Sequence, residues 1–164
     1  MTKEQVAALE EGARHSRILF VGQSPSRDSD PSRPFSGKCG RLLADFLDVP
    51  QAQMLADHDF TNLIDHYPGK GPSGDKFPMA EARVGAAKVT REWQGRRVIL
   101  LGAGVARAMC LAKFAYFTAY TVKDAPGTIV GVIPHPSGVC RKYNDPDVRL
   151  EAAKFLRQFP DIKV

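Results

Sequence analysis

The chain has 164 residues, 43% of them hydrophobic, which is enough for one domain with a buried core. Its net charge of +5 is compatible with a phosphate-bearing partner but identifies none, because many basic proteins bind no nucleic acid. No apolar run approaches the roughly 20 residues of a membrane span, and the charged amino terminus is not typical of a signal peptide, so we expect an intracellular, cytoplasmic protein.

The first predicted elements are a helix and a buried strand. Thr2 and Gln5 are typical of a capping box and predict a helix that ends near Ala13. The apolar run at residues 18–21 is followed by Gly22, which predicts a strand that stops at a sharp turn.

The loop after this strand, residues 22–26, reads Gly-Gln-Ser-Pro-Ser and suits a ligand-binding turn. Gly22 permits close backbone approach, Pro25 stiffens the turn, and small hydroxyl side chains leave backbone N–H groups open to a ligand. Phe35 follows a polar segment, and an aromatic ring beside a glycine turn suits a flat, stacked ligand. From these residues alone, an ordinary loop with Phe35 in the core is an open alternative.

The rest of the chain alternates helices with short apolar strands. The predicted elements are a helix over 39–49, a strand over 58–64, a loop over 69–77, a helix over 78–93, a strand over 98–101, a helix from the turn at 102–104 to about 111, a strand over 128–133 and a helix over 145–159. Residues 50–57 show no clear pattern, and residues 114–120 are interpreted as irregular or as a short extended piece.

This alternation predicts an α/β protein with a parallel sheet covered on both faces by helices. Right-handed crossovers place the loops that follow parallel strands at one edge of the sheet. Residues 22–26, 102–104 and 134–138 and the region after Asn62 should therefore converge at that edge.

Two residues at this edge are candidates for function. His135 stands between Pro134 and Pro136, which fix the backbone on either side and hold the imidazole with little freedom. Ser137 and a glycine follow, and they suit close approach to a phosphate. Asn62 carries a donor and an acceptor that together match the edge of a pyrimidine, although a turn asparagine is equally compatible with that segment.

Other motifs favour structural roles. The Gly-Ala-Gly of residues 102–104 lacks the third small residue of a dinucleotide fingerprint, because Arg107 stands there, so a packing turn is favoured. The loop carboxylates Asp28, Asp30 and Asp75 are interpreted as solvated charges. The three widely spaced cysteines form no disulfide framework or CxxC pair, so we expect no metal site: Cys39, Cys110 and Cys140.

Taken together, these stretches resemble the uracil-DNA glycosylase superfamily, and most closely its family-four branch. Residues 22–26 are similar to the branch's Gly-Glu-Ala-Pro-Gly, and 32–43 to its Gly-Arg-Pro-Phe-Val-Gly-x-Ala-Gly-x-Leu-Leu. Residues 61–64 resemble Thr-Asn-Val-Val, and 135–137 match His-Pro-Ser. The segments occur in the family's order, and they imply a three-layer α/β/α sandwich with a four-stranded parallel sheet in one domain over residues 1–164.

The resemblance implies a monofunctional DNA glycosylase that flips a base out of DNA and hydrolyses its N-glycosidic bond. By it, Phe35 stacks on the base, Asn62 bonds the Watson–Crick edge, and His135 stabilises charge on the base O2. The implied substrate-binding residues are Gly22, Ser24, Pro25, Ser26, Phe35 and Asn62. The implied DNA-binding residues are Pro136, Ser137, Gly138 and Arg141, with the turn from Val139 to Arg141 pressing into the gap left by the nucleotide. DNA is the expected partner of a monomer without membrane association.

The sequence departs from the family pattern in ways that affect catalysis and specificity. Gln23 stands where family four has a water-positioning glutamate, so the predicted catalytic residues are His135, Gln23 and Asp28, with Asp30 or Asp75 as other possible acids. The alternative is a catalytically weak or inactive module of the glycosylase fold that binds modified or damaged DNA.

Two further departures concern the cofactor and the substrate. The iron–sulfur cysteines of family four are not supplied, so we expect no cofactor. Ser26 replaces the tyrosine that excludes a 5-methyl group in strict uracil enzymes, so the substrate is predicted to be uracil or a 5-modified pyrimidine.

Overall fold

The computed structural model describes residues 1–137 and 140–164, and for residues 10–16 the backbone alone. Its helices in this part of the chain are α1 (Lys3–Ser16), α2 (Lys38–Leu47), α3 (Gln51–Asp57), α4 (Met79–Glu92), α5 (Ala103–Ala108) and α6 (Pro146–Gln158). Its strands are β1 (Ile18–Gly22), β2 (Asp59–Asn62), β3 (Lys70–Gly71), β4 (Gly74–Asp75), β5 (Arg97–Leu101), β6 (Ala119–Val122) and β7 (Ala125–Ile133). Short 3-10 helices lie at Arg141–Asn144 and Phe159–Asp161.

The main sheet has the strand order β2-β1-β5-β7-β6. The first four strands are parallel, and their registers pair Gly22 with Asn62 and Leu101 with Ile133 at the carboxyl ends. The loops that follow these four strands therefore lie along one edge of the sheet, which is called the carboxyl edge below. The predicted α/β architecture with a largely parallel sheet is confirmed.

The prediction of four strands is wrong, because β6 adds a fifth strand, antiparallel to β7. It falls at the end of the stretch interpreted as irregular or extended. Tyr120 pairs with Val130, so β6 owes its extended form to a partner that local sequence does not reveal.

The core lies on both faces of the sheet, because successive strand residues point to opposite sides. On one face Val21, Leu100 and Val132 pack with the buried side of α4 and α5. On the other face Phe20 and Ile99 pack with α2 and α6. The burial on both sides explains why β1 and β5 read as continuous apolar runs.

The structure confirms the capping box of the first helix and differs from the predictions for residues 50–57 and 69–77. The capping box forms, with the Thr2 N–H donating to Gln5 Oε1 at 2.8 Å and the Gln5 N–H donating to Thr2 Oγ1 at 3.1 Å. The helix α1 runs on to Ser16, and the patternless residues 50–57 contain α3. The predicted loop over 69–77 contains the two-stranded hairpin β3–β4.

Candidate active site

One side of the carboxyl edge is formed by the ends of β1 and β2. Beyond the paired residues Gly22 and Asn62, the Leu63 N–H donates to the Gly22 carbonyl at 3.0 Å. The Ile64 N–H donates to the Gln23 carbonyl at 2.9 Å. These bonds continue the parallel pairing into the loop and fix the position of Asn62 relative to it.

Phe35 is held in an unusual backbone conformation beside these strands. Its φ of 63° lies in the left-handed region, which costs a non-glycine residue on the order of 1–3 kcal/mol and persists only where its surroundings hold it. Its carbonyl accepts a bond from Gln51 Nε2 at 2.9 Å, and its half-buried ring packs on Phe60 with centroids 5.5 Å apart. The ring is therefore fixed from both its backbone and its side chain.

Phe35 and Asn62 converge on Gly22. A Cβ added to Gly22 would lie 2.5 Å from Phe35 Cζ and 2.6 Å from Asn62 Oδ1. Real Cβ atoms do not approach other atoms so closely, so only glycine allows both side chains to pack here. The structure thus brings together three of the predicted substrate-binding residues.

His135 lies on the other side of the edge, after the end of β7. Its side chain packs against the turn after β5, since a Cβ added to Gly102 would lie 3.2 Å from His135 Cβ. Burial lowers the pKa of His135 to about 4, while the negative charge of Asp75 opposes this change. The imidazole is therefore neutral near pH 7 and can donate a hydrogen bond without carrying a charge.

The two sides are close enough to face one ligand. Neighbouring strands lie about 4.8 Å apart, so the end of β7 is roughly 10 Å from the end of β1, with β5 between them. The turn at Gly102 lies between Gly22 and His135 and has no side chain to fill the space. The topology of the sheet therefore places these loops along one edge, as predicted.

The other predicted residues of the first loop differ in exposure. Pro25 is buried and Gln23 is half-buried, while Asp28 is exposed. The exposed Ser26 places its hydroxyl within hydrogen-bonding distance of the Ser29 hydroxyl in the same loop. Ser24 Oγ is buried and has no hydrogen-bond partner among the described residues, which is unusual for a buried polar atom.

The predicted DNA-binding residues follow His135. Pro136 is buried, Ser137 is half-buried, and the Ser137 N–H donates to the His135 carbonyl at 2.9 Å. Arg141 is exposed at the start of a 3-10 helix. Gly138 and Val139 lie outside the described residues, so the predictions for them stay predictions.

Sequence reasoning missed two aromatic residues in this region. The Tyr143 hydroxyl donates to the Pro134 carbonyl at 2.7 Å and so anchors the chain just before His135, while burial raises the pKa of Tyr143. Lys142 Nζ lies 5.3 Å from the centre of the Tyr116 ring. Neither contact has a signal in the local sequence, because both join segments that only the fold brings together.

Asp75, interpreted as a solvated charge, is exposed, and its charge acts on His135 and on Cys39 at the start of α2. It opposes the lowering of the pKa of His135, and it adds to the burial that raises the pKa of Cys39. The signal that indicates the hairpin carrying it is the turn sequence Gly-Pro-Ser-Gly at residues 71–74.

Within the described residues, no group of three or more His, Cys, Asp or Glu is arranged to hold a metal ion. The three cysteines are free thiols, and only Cys110 of them is exposed. The helices that the structure describes include none that is both long and apolar enough to cross a membrane.

This architecture defines a class of α/β proteins whose candidate site lies at the carboxyl edge of a parallel sheet. The family model of the uracil DNA glycosylase superfamily matches residues 9–159, and the chain belongs to that superfamily. This confirms the resemblance at the level of the superfamily, while the family-four branch stays a prediction. No curated protein sequence matches the chain. Membership supports a glycosylase type of function, with DNA as the substrate.

Proposed function

We propose that this protein flips uracil or a 5-modified pyrimidine out of DNA and hydrolyses its N-glycosidic bond. The observation that carries the proposal is the packing of Phe35 and Asn62 against Gly22 at the carboxyl edge. An aromatic face can stack on a base, and the amide beside it can pair with the C=O and N–H of a pyrimidine. Phe35 and Asn62 would recognise a base that has left the DNA helix, because inside the duplex the face of the base is stacked and its C=O and N–H are paired.

In this proposal His135 stabilises the leaving base. As the bond between C1′ and N1 breaks, its electron pair moves to the base and negative charge develops on O2. A neutral imidazole N–H that points at O2 bonds most strongly in the transition state, when that charge is present. Removing one such donor typically costs about 10²–10³-fold in rate.

The residues of the first loop complete the proposed binding of base and water. Gln23 can orient a water molecule but cannot accept its proton, and Asp28 is the acid that the sequence suggests nearby. The buried Ser24 hydroxyl, unpaired among the described residues, is available to the base or the water. Ser26 lies within hydrogen-bonding distance of Ser29, and its small side chain is proposed to leave room for a substituent at C5 of the pyrimidine.

We further propose that the segment after His135 holds the DNA backbone. Ser137 and Arg141 offer a hydroxyl and a cation for phosphates, and by the resemblance Pro136 and Gly138 belong to the same phosphate-binding segment. The net charge of +5 favours the same partner. Binding of this kind should weaken as the salt concentration rises.

A substrate panel tests the proposal. The protein is incubated at stoichiometric concentration with oligonucleotides that contain uracil, mismatched thymine, or 5-hydroxymethyl or glycosylated pyrimidines. Abasic product on at least one of them is expected, and a free base should be released with it. Absence of abasic product on the whole panel would overturn the proposal.

A second candidate function is binding without cleavage. It is favoured by Gln23, which stands where the resemblance leads one to expect an acid. A binding module would hold modified DNA tightly, lose that affinity in Phe35→Ala and keep it in His135→Ala. A large loss of turnover in His135→Ala instead supports the enzyme.

A further inference from the structure

The hairpin β3–β4 lies beside the candidate site and carries one carboxylate towards it. Lys70 pairs with Asp75 and Gly71 with Gly74, and the Lys76 N–H closes the hairpin by donating to the Gly69 carbonyl at 2.8 Å. Gly71, Gly74, Asp75, Lys76 and Phe77 line a cleft. Asp75 is exposed in it, so a water molecule can reach the carboxylate.

The position of the hairpin is fixed by Phe77. A Cβ added to Gly104 would lie 3.3 Å from the Phe77 ring, so this ring packs on the first turn of α5. Gly102, which caps α5, packs against His135. Asp75, two residues before Phe77, is therefore held close to the side of the edge where His135 lies.

A second reference point for Asp75 is Cys39. Cys39 stands four residues after Phe35, at the start of α2. Burial and, after it, the charge of Asp75 raise the pKa of Cys39, and the charge of Asp75 also acts on the pKa of His135. Asp75 is therefore within electrostatic reach of both the start of α2 and His135.

Two other carboxylates, Asp30 and Asp65, are already bonded to neighbouring side chains. Asp30 Oδ1 accepts bonds from the Ser32 N–H at 2.9 Å and the Ser32 hydroxyl at 2.6 Å, and these bonds lower the pKa of Asp30. Asp65 bonds to His66 at 2.9 Å. Among the described residues, Asp75 is the carboxylate whose charge acts on the pKa of His135.

We propose that Asp75 is the general base that activates the attacking water, which would make it a catalytic residue of the proposed glycosylase. This rests on the proposed function. The water oxygen bonds to C1′ as the bond between C1′ and N1 breaks, and the electron pair of that bond leaves with the base. One proton of the water passes to the Asp75 carboxylate, the base takes a proton from solvent, and no oxidant or reductant is needed. Gln23 then orients the water, and no acid is required at its position.

The test compares Asp75→Asn with Asp65→Asn, a matched loss of an exposed carboxylate that does not act on the pKa of His135. Single-turnover cleavage is measured on the best substrate of the panel. Asp75→Asn should be slower by about 10²-fold or more, as for loss of a general base, and should bind the DNA as tightly or more tightly, because a negative charge near phosphates is removed. Asp65→Asn should keep the wild-type rate.

Chemical rescue separates proton acceptance from a purely electrostatic role. Formate supplied to Asp75→Ala should restore part of the lost rate, since the site is exposed and a small carboxylate can enter the space. A rate that formate leaves unchanged would overturn the assignment as general base, and so would wild-type cleavage by Asp75→Asn. A loss confined to Asp28→Asn would move the role to Asp28.

The outcomes distinguish this inference from the proposed function. If the wild type cleaves and Asp75→Asn cleaves equally well, only the role of Asp75 is overturned. Wild-type protein that cleaves nothing overturns both. A readout without activity checks the geometry: the pKa of His135, followed by NMR, should fall in Asp75→Asn, and an unchanged value would show that Asp75 is not beside it.

Discussion

The two sides of the carboxyl edge are built differently. The recognition side, formed by Gly22, Phe35 and Asn62, is fixed by backbone hydrogen bonds and by packing that leaves no space for a Cβ at Gly22. On the proposed chemistry side, formed by His135 and Asp75, burial lowers the pKa of His135 and the charge of Asp75 opposes this change. Substitutions on the first side should therefore change binding, and those on the second should change rate and pH dependence.

The largest expected effect lies on the chemistry side. His135→Ala should lower the single-turnover rate by about 10²–10³-fold, because the donor to the base O2 is lost. The dissociation constant for the DNA should change by no more than about threefold, or roughly 0.6 kcal/mol. Rates and binding are measured on the same oligonucleotide.

His66→Ala is the matched control, because His66 contacts Asp65 and Glu81 at 2.9 and 3.3 Å on the rim of the cleft. It should cleave at the wild-type rate. If His135→Ala lost affinity but cleaved normally once saturated, the division between the two sides would be wrong.

Acid should destabilise the protein through the same histidine. The pKa of His135 is about 4 in the folded state against 6.5 ordinarily, so the unfolded chain binds a proton that the folded chain does not. The contribution of His135 to the free energy of unfolding is complete above pH 6.5. It is lost as the pH falls towards 4, and the loss reaches roughly 3 kcal/mol at the acid end. Burial also lowers the pKa of His58, whose Nδ1 accepts from the Ile18 N–H at 3.0 Å, and this adds an effect of the same sign.

Urea unfolding at pH 7 and pH 4.5 measures this loss. His135→Ala should show a clearly smaller difference between the two pH values than the wild type does. A wild-type free energy of unfolding that is equal at both values would contradict the neutral, buried imidazole.

Much of the recognition side could be predicted from sequence because its signals are local. The run at residues 18–21 and its glycine are contiguous, and Asn62 ends a strand that the pattern also indicated. The chemistry side was predicted only in part. Asp75, which the sequence suggested only as one of several acids, is carried by a hairpin that was predicted as a loop, and Tyr143 anchors Pro134 through the fold. Pairings between distant segments, such as the one that forms β6, have no local pattern.

Gly22→Ala tests the recognition side by filling its tightest point. The added Cβ would overlap Phe35 Cζ or Asn62 Oδ1, so one side chain has to move, at a cost of about 1–3 kcal/mol. Affinity for the substrate DNA should fall by about tenfold or more, since 1.4 kcal/mol corresponds to a factor of ten. Equilibrium binding to the modified and unmodified duplex measures it.

Gly37→Ala is the control for the added methyl group, because a Cβ at Gly37 would meet no atom within 4 Å. Its affinity should match that of the wild type. Equal affinities for both variants would mean that Phe35 and Asn62 do not act together on the base.

The smallest predicted effect concerns how Phe35 is held. Gln51 Nε2 donates to the Phe35 carbonyl at 2.9 Å and to the Gly37 carbonyl at 3.0 Å, and it thereby supports a backbone that is strained at φ 63°. Gln51→Ala removes both bonds, at about 1–2 kcal/mol in total. Affinity should weaken several-fold, while the single-turnover rate at saturation stays unchanged, because the chemistry side is untouched.

Gln53→Ala is the matched control for Gln51→Ala, since Gln53 is exposed in the same helix and bonds only Asp57, at 3.0 Å, among the side-chain contacts described for it. It should leave affinity and rate as they are. If Gln51→Ala slowed saturated cleavage as much as it weakened binding, Phe35 would position the nucleotide for the reaction as well as hold it. The recognition and chemistry sides would then be one mechanically coupled unit, and the separate effects predicted for Gly22 and His135 would not hold.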